Sequence, residues 1–555
     1  MRYILLLCLI FITYSCKPSE EKKETPTDVE TSQDTKDEND ISDISTKEFR
    51  EFKVLDSKYI NSNELWDIFE KDLKDFTEAK YNALKPLILD QDIPTLQQHI
   101  TSGALTYELL TKFYLHRIKT FDRNNALSLN SVIAINPNII NDAKACDKAF
   151  KASKQQRHPI YGMPILLKDN INATGMSTTA GAVALKDNTT EDAFIVKQLK
   201  SKGALILGKA NLSEWAYFFC GDCPSGYSAI GGQTLNPYGR KIIDTGGSSS
   251  GSGVAVAANF CVAAIGSETS GSILSPSSQN SVVGLKPTIG LVSRSGIIPI
   301  SSTLDTAGPM TKNVMDNAIL MSAIYGYDDN DQKSLNPKWP GSYYYSGLTD
   351  VKNVKGKRFG AIKGLMEDQL YVNAIEVLKA QGAEIIEIEA ADIGLPGFLR
   401  LLNLDMKVDL VTYLKNYGNP NLEYSSIEDI MDFNRKDSLN VMPYGQKLFQ
   451  GVSDDSATEA EFAKIKSTLK TNGKRFFDEP MTTHNLDGIL SINNYHAGFA
   501  AVAEYPALTV PMGYAENGAP KGLTFITIGN ERRLLQWAYV YEQASKMRKS
   551  PANYN

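Results

Sequence analysis

Residues 246–274, GGSSSGSGVAVAANFCVAAIGSETSGSIL, are the stretch of the chain that says most about its fold. Two clusters of glycine and serine flank one apolar run, and residues 261–265 of that run are typical of a buried strand. A flexible linker has this composition, and so does a catalytic loop. The question is therefore whether one of these serines reacts, and which side chain takes its proton.

Short apolar runs alternate with helical patterns on both sides of this stretch. Apolar residues recur at helical spacing in three places, which begin at about residue 60, at Pro94 and at residue 109, the last of them extending to residue 118. Strands are predicted for residues 165–167, 204–207 and 261–265. This alternation predicts an α/β layered domain.

The overall composition is that of a large globular protein. The chain has 555 residues, of which 42% are hydrophobic and 22% are charged, and its net charge is −6. An acidic chain of this kind lacks the basic surface that nucleic-acid binding needs, so we expect no nucleic-acid partner. The oligomeric state is left open.

Neither the histidines nor the cysteines form a metal motif. The five histidines, at positions 99, 116, 158, 484 and 496, make no HExxH pattern. Cys220 and Cys223 form a CxxC pair without a second pair at zinc spacing. We therefore expect no metal and no cofactor, and both a disulfide and two free thiols remain open for the cysteine pair.

The N-terminus predicts export. Residues 1–16, MRYILLLCLIFITYSC, have the short apolar core of a signal peptide, and Cys16 resembles the lipidated cysteine of a bacterial lipoprotein, although Thr13 departs from that pattern. A signal cleaved without lipidation is the alternative. Residues 17–49 are highly charged and poor in apolar residues, which predicts a disordered tether. We therefore expect a protein of the cell envelope that is anchored by lipid, or a secreted or periplasmic one if Cys16 is not lipidated.

Three chemistries would use serines in such a loop. A phosphate-binding P-loop needs a lysine, and none occurs between Lys241 and Lys286. A nucleophile elbow, G-x-S-x-G, would make Ser249 the nucleophile of an α/β-hydrolase with His484 or His496 as the base, but no strand pattern precedes it. The third chemistry uses a serine of the second cluster with a base that is not histidine.

The third chemistry is carried by a family resemblance. GGSSSGSG, GSETSGSI and VVGLKPT resemble the Gly/Ser-rich signature of the amidase signature family, and GMPILLKDN (162–170) resembles the segment with its catalytic lysine. Further matches follow in family order: TTAGAVAL (178–185), GKANLSEWA (208–216), GGQTLNP (231–237), YPALTVP (505–511) and GLTFI (522–526). The resemblance implies an α/β fold with a mixed twisted β-sheet surrounded by α-helices. It spans residues 94–548, after a helical extension at residues 50–93.

The resemblance implies a Ser–cis-Ser–Lys triad without a metal or cofactor. Ser272 corresponds to the nucleophile, Ser248 to the bridging serine after a cis peptide bond, and Lys168 to the base. A serine hydroxyl accepts and donates at once, so Ser248 is able to pass a proton from Ser272 to a neutral Lys168. The backbone N–H groups of Thr269, Ser270, Gly271 and Ser272 correspond to the oxyanion hole.

Departures from the family pattern bear on the substrate. Glu268 stands where the family commonly has Asp, Ser270 and Ser250 replace glycines, and Leu274 stands where many members have arginine. The segment from Glu268 to Ser302 is most similar to bacterial peptide amidases, which predicts release of ammonia from peptide amides. The alternative is an amidase fold without activity that serves as a surface-binding lipoprotein. The glutaminase subunit of transfer-RNA amidotransferases also occurs in this family, but the export signal and the acidic charge argue against that role here.

The segment 325–480 is predicted either to shape the substrate pocket or to pack around the sheet. Within it, the aromatic stretch Trp339–Tyr345 is a candidate wall of the pocket, because acyl pockets are lined by apolar and aromatic side chains.

Overall fold

The computed structural model describes residues 51–123, 125–153 and 155–555. The predicted signal segment, Cys16 and the charged tether lie outside these residues. Within the described part of the chain, no helix has both the length and the apolar character that a membrane span requires.

Helices and strands alternate along most of the chain. The helices are α1 Ser62–Asp67, α2 Glu70–Leu73, α3 Glu78–Ile88, α4 Ile93–Thr101, α5 Tyr107–Phe121, α6 Ile139–Ala152, α7 Phe194–Ser201, α8 Ser250–Ala257, α9 Leu274–Gln279, α10 Val314–Ile324, α11 Gln369–Ala380, α12 Phe398–Asn416, α13 Ile427–Lys436, α14 Ser438–Val441, α15 Lys447–Asp454, α16 Glu459–Thr483, α17 Ala497–Val502 and α18 Glu531–Ser545. The strands are β1 Val132–Ile135, β2 Pro164–Lys168, β3 Leu205–Ala210, β4 Tyr227–Ser228, β5 Gly232–Gln233, β6 Ala263–Glu268, β7 Val283–Lys286, β8 Thr306–Thr311, β9 Arg358–Ile362, β10 Glu384–Ile388, β11 Gly488–Ile492, β12 Ala507–Tyr514 and β13 Pro520–Ile526.

In the described part of the chain, eleven of these strands form one mixed sheet in the order β1-β3-β2-β6-β8-β7-β12-β13-β11-β9-β10. Strand β2 runs parallel to both of its neighbours, β3 and β6, whereas β8 runs antiparallel to β6. The three strands predicted from apolar runs are β2, β3 and β6, all of which are buried along their length. The predicted α/β class with a mixed sheet inside helices is confirmed.

The helices begin where the sequence supplies capping residues. Asp92 accepts a hydrogen bond from Thr95 N–H (2.8 Å) before α4, and Thr106 caps α5 in the same way. The helical pattern from about residue 60 forms two short helices, α1 and α2. Their apolar residues, together with those of α3, belong to the same hydrophobic core as the sheet. Residues 51–93 therefore share the hydrophobic core of the sheet rather than form a core of their own.

Helix α8 explains why the first serine cluster is rich in glycine. All eight of its residues are buried. A Cβ on Gly251 would lie 2.5 Å from the backbone of Asn211, and one on Gly253 would lie 2.8 Å from the Pro276 carbonyl. The stretch is thus a helix in close contact with neighbouring backbone, and the linker interpretation is wrong.

Candidate active site

The site lies at one edge of the sheet, where the parallel strands β2 and β6 end. Leu167 of β2 is in register with Ile265 of β6, so Lys168 and Ser267 follow at neighbouring positions. The carboxyl ends of parallel strands are the usual place for functional side chains in α/β sheets. The local sequence, two apolar runs that each end in polar residues, sets up this arrangement.

Lys168 is fully buried and surrounded by oxygen atoms of serines. Its Nζ lies 2.8 Å from Ser248 Oγ, 2.9 Å from Ser267 Oγ and 3.1 Å from the Ser267 carbonyl oxygen. Burial lowers the pKa of Lys168 to about 7, against the opposing influence of the Asp305 and Glu268 carboxylates. A large fraction of this amine is therefore neutral near pH 7 and able to accept a proton.

Two adjacent serines meet this lysine in different ways. The peptide bond between Gly247 and Ser248 is cis, and Ser248 presents its hydroxyl to Lys168. The Ser249 hydroxyl is fully buried and donates to the Ser267 carbonyl (3.0 Å). Because Ser249 is turned into the protein, it is poorly placed to attack a substrate.

The surroundings of Ser249 also lack the other parts of a nucleophile elbow. An elbow follows directly on a strand, but no strand lies between residues 234 and 249, all of which are described. Of its two candidate bases, His496 hydrogen-bonds Ser491 (2.6 Å) and His484 ends α16. The geometry thus disfavours the α/β-hydrolase alternative.

Ser272 lies in the loop between β6 and α9 and is partly exposed. Its carbonyl accepts a hydrogen bond from Ser249 N–H (3.2 Å), which ties the two serine clusters together next to Ser248. The structure therefore brings all three predicted triad residues to one edge of the sheet, with Ser272 the most accessible of them.

The same loop leaves backbone donors free. Among the described residues, none accepts a hydrogen bond from the N–H groups of Ser270, Gly271 or Ser272, whereas Glu268 Oε2 accepts those of Ile273 (2.7 Å) and Leu274 (3.0 Å). Consecutive free N–H groups in a loop are suited to bind an oxyanion.

Gly271 allows the loop to follow this path. Its φ of +90° favours glycine, and a Cβ there would lie 2.9 Å from Asn494 Nδ2. The substitution of Glu268 for the family's common Asp is accommodated, because its carboxylate caps the N–H groups that follow the free donors.

Three further polar residues, Asn170, Ser267 and Asp305, hold the site, and no family motif marks their role. Asn170 donates to Ser267 Oγ (2.9 Å), and Ser267 contacts Lys168. Thr269 donates its hydroxyl to Asp305 Oδ1 (2.5 Å), and Asp305 Oδ2 accepts the N–H groups of residues 300 and 301. Asn170 lies two residues after β2 and Ser267 is the second-last residue of β6, and polar residues at strand ends are a signal in the sequence. The role of Asp305 rests on a long-range contact for which the sequence gives no signal.

A cavity of about 510 Å³ opens beside Ser267 and Thr269. Apolar and aromatic side chains form part of its wall, notably Ile298, Ile300, Val408, Tyr413 and Tyr417. Helix α12, which belongs to the segment 325–480, supplies several of these side chains. Part of that segment therefore shapes the cavity, which is one of the two alternatives predicted for it. The volume is within the range of small-molecule sites.

The aromatic stretch Trp339–Tyr345 does not line this cavity, so the prediction that it forms a pocket wall is wrong. Trp339 is exposed and stacks on Tyr343 (5.2 Å between ring centroids), and the Arg532 guanidinium lies over Tyr343. The stretch packs beside α10 instead. Aromatic composition alone does not tell which surface a loop will cover.

Cys220 and Cys223 are joined by a disulfide, with 5.9 Å between their Cα atoms. The described residues contain no cluster of histidine, cysteine, aspartate or glutamate able to hold a metal ion. The candidate site therefore consists of serine, lysine, asparagine and carboxylate groups.

Comparisons with known proteins agree with this geometry. The family model described as Amidase matches residues 109–443. A probable amidase of Arabidopsis thaliana is 34% identical, over 84% of this chain and 92% of its own length. The structure of an amidase family protein from Bacillus anthracis superposes with a TM-score of 0.85 at 37% identity, covering 91% of this chain and 99% of that one.

The structure of a peptide amidase from Stenotrophomonas maltophilia is also similar. It superposes with a TM-score of 0.79 at 38% identity and covers 83% of this chain and 98% of that one. The family match, the shared fold and the coverage of nearly the whole length of these relatives lead to one conclusion. The chain belongs to the amidase signature family, whose members are hydrolases that act on amide C–N bonds.

Proposed function

We propose that this protein hydrolyses amides through an acyl-enzyme, with Ser272 as nucleophile, Ser248 as proton bridge and Lys168 as base. The observation that carries the proposal is the 2.8 Å contact between Lys168 Nζ and Ser248 Oγ at a fully buried lysine whose pKa is lowered to about 7. An amine in this state accepts a proton at neutral pH, which an ordinary lysine does not.

The steps follow from the positions of these groups. Ser272 Oγ attacks the amide carbonyl while its proton passes to Ser248 Oγ, and Ser248 gives its own proton to Lys168 Nζ. The new oxyanion accepts hydrogen bonds from the free N–H groups at residues 270–272. When the C–N bond breaks, Lys168 returns the proton by way of Ser248 to the leaving nitrogen. Water then attacks the acyl-enzyme and gives a proton to Lys168 by way of Ser248. The same proton returns to Ser272 Oγ as the carboxylic acid leaves.

The test of the nucleophile compares two serines of the two clusters. We expect Ser272→Ala to lose at least about 10⁴-fold in kcat, because the covalent step disappears. Ser249→Ala removes one buried hydrogen bond and is expected to retain most of the activity. Loss of activity in Ser249→Ala with an active Ser272→Ala would instead support the α/β-hydrolase alternative.

Covalent labelling distinguishes an enzyme from an inert surface-binding lipoprotein. A serine-reactive phosphonate is expected to modify the wild-type protein on the peptide that contains Ser272 and to leave Ser272→Ala unlabelled. A folded wild-type protein that is not labelled would contradict the catalytic proposal.

The proposed substrates are peptide amides that release ammonia. Two observations support this class: the 38% identity to a peptide amidase and the partly aromatic cavity of about 510 Å³. Such a cavity has room for an acyl group, and each buried methylene adds about 1–3 kcal/mol of discrimination. In an ammonia-release assay, a peptide amide should exceed acetamide and free glutamine in kcat/KM. Equal rates on the two small amides would reject this class without touching the triad.

We also propose that the enzyme is held at the cell envelope by a lipid on Cys16. The support is the sequence of residues 1–16 together with the charged segment at 17–49. Mass spectrometry of the mature protein should find Cys16 as the first residue with acyl groups attached. An unmodified N-terminus at another residue, or a retained Met1, would reject the anchor.

A further inference from the structure

The cavity beside Ser267 and Thr269 is lined by charged side chains, not all of which form ion pairs. Three basic and three acidic residues line it: Arg294, Asp305, Asp331, Lys333, Asp409 and Lys466. The formal charges of these six cancel. Which of these charges form ion pairs, however, determines which remain available to bind a substrate.

Each of the three cations already has a carboxylate partner. Arg294 pairs with Asp331 (2.8 Å), Lys333 with Glu504 (2.9 Å) and Lys466 with Asp405 (3.2 Å). Glu504 and Asp405 are not among the residues that line the cavity. Within the described chain, Asp305 and Asp409 are therefore the two cavity carboxylates that form no ion pair at contact distance, although Arg294 acts on both from further away.

These two carboxylates differ in how many of their oxygens already accept hydrogen bonds from the protein. Both oxygens of Asp305 are used, one by the Thr269 hydroxyl and the other by backbone N–H groups. Asp409 accepts the Ser302 N–H at Oδ2 (2.5 Å), and within the described chain no lysine or arginine forms an ion pair with it. Burial and the nearby Asp405 and Asp305 carboxylates raise the pKa of Asp409 to about 7. Asp409 thus forms no ion pair at contact distance, and Arg294, which acts on it from further away, is itself bonded to Asp331.

A buried acceptor in the cavity lacks a hydrogen-bond donor among the described residues. Asn170 lines the cavity next to the Lys168–Ser267 contact, is only 2% exposed, and has no described donor for its Oδ1. Buried polar atoms are normally hydrogen-bonded, so an unpartnered one indicates a place that a ligand or water completes. A ligand of this cavity is therefore expected to bring hydrogen-bond donors to both places.

We infer that Asp409 is a specificity residue that binds a positively charged group on the acyl side of the substrate. The group is either the free α-ammonium of a short peptide amide or the basic side chain of a longer one. Val408 and Tyr413, which lie on the same helix as Asp409 and line the cavity, provide apolar contact for the connecting carbon atoms. The inference rests on the proposed peptide-amide function.

The test uses substrates that differ only in charge. Wild-type kcat/KM is measured for two pairs of substrates. The first pair is an N-acetylated dipeptide amide that contains lysine and its norleucine analogue. The second pair is a dipeptide amide with neutral side chains, once with a free and once with an acetylated N-terminus. At least one pair should show a preference of about 10- to 100-fold for the charged member, mostly in KM, because a charge-assisted hydrogen bond is formed on binding. Which pair responds identifies the source of the cation.

Asp409→Asn is expected to remove this preference while kcat/KM for the neutral substrates stays within about threefold. The control is Asp432→Asn, which removes an exposed carboxylate on α13 and should leave the preference unchanged. Equal loss on charged and neutral substrates would assign Asp409 a structural role and overturn the inference.

A wild-type measurement covers the case in which Asp409→Asn does not fold. n-Butylammonium is expected to compete with a neutral peptide amide at least tenfold better than n-butanol does. Activity on peptide amides without any preference for charge, in substrates and in these inhibitors, would reject the role of Asp409 alone. Absence of activity on every peptide amide would reject the proposed function itself.

Discussion

Two lysines on neighbouring parallel strands differ in a way that explains the site. Lys168 ends β2, and Lys209 lies on β3 in register with Leu167. Both side chains are fully buried, and burial lowers the pKa of both amines. Lys209 forms an ion pair with the buried Asp169 (3.0 Å), which opposes that shift, whereas Lys168 contacts only serine oxygens.

The comparison shows how a sheet makes one buried lysine structural and another reactive. A carboxylate at contact distance favours the ammonium form, because the two charges attract strongly away from water. Serine hydroxyls stabilise the ammonium much less, so desolvation dominates at Lys168 and the neutral amine becomes available. Identical substitutions at the two positions should therefore have different consequences.

The largest difference between substitutions of the two lysines is expected in kcat. Lys168→Met removes the proton acceptor and should lower kcat by about 10⁴-fold or more, as removal of a catalytic base does in serine hydrolases. Lys209→Met, assayed well below its unfolding temperature, should stay within about tenfold of wild type because it takes no part in proton transfer. The measurement is ammonia release under saturating substrate. A Lys209→Met enzyme as inactive as Lys168→Met would contradict the division of roles.

The free energy of unfolding should show the opposite order, with Lys209→Met less stable than Lys168→Met. Lys209→Met leaves Asp169 buried without its cation, which typically costs about 3–5 kcal/mol of the free energy of unfolding. Two of the three oxygens around Lys168 have other donors: Ser249 donates to the Ser267 carbonyl and Asn170 to Ser267 Oγ. Lys168→Met should therefore cost about 1.5 kcal/mol or less.

Urea denaturation of both variants measures this difference. The control is the double variant Asp169→Asn with Lys209→Met, which should recover part of the loss because no unpaired carboxylate remains. A Lys168→Met protein that is less stable than Lys209→Met would show that Lys168 is the structural member of the two.

The sequence predicts the parts of this site that depend on local pattern. The apolar runs that become β2 and β6 mark the strand ends, and the glycines of residues 246–271 mark backbone that must approach closely. The role of Asp305 is not predictable, since its bond to Thr269 joins residues 36 positions apart and the loop that sets it has no regular pattern. The aromatic stretch Trp339–Tyr345 was misplaced for the same reason, because its composition does not specify its packing partner.

The smallest expected effect concerns pH and tests why Lys168 is neutral. Only the neutral amine accepts a proton, so kcat/KM should rise with pH along one ionisation near pH 7 and stay high in alkaline solution. The Asp305 carboxylate favours the charged form of Lys168 and so raises its pKa. Removing that charge in Asp305→Asn should lower the pKa of Lys168 and move the rising limb to lower pH by about half to one pH unit.

The asparagine in this variant is able to keep the local hydrogen bonds. Its oxygen accepts the N–H groups of Ile300 and Ser301, and its amide group donates to Thr269 Oγ1. Asp432→Asn, which removes an exposed carboxylate far from this network on α13, serves as the control and should leave the profile unchanged. A profile that stays unchanged or moves to higher pH in Asp305→Asn would contradict the influence of the Asp305 carboxylate on the titrating group, and with it the assignment of that group to Lys168. The contrast between the two lysines would then no longer explain the chemistry.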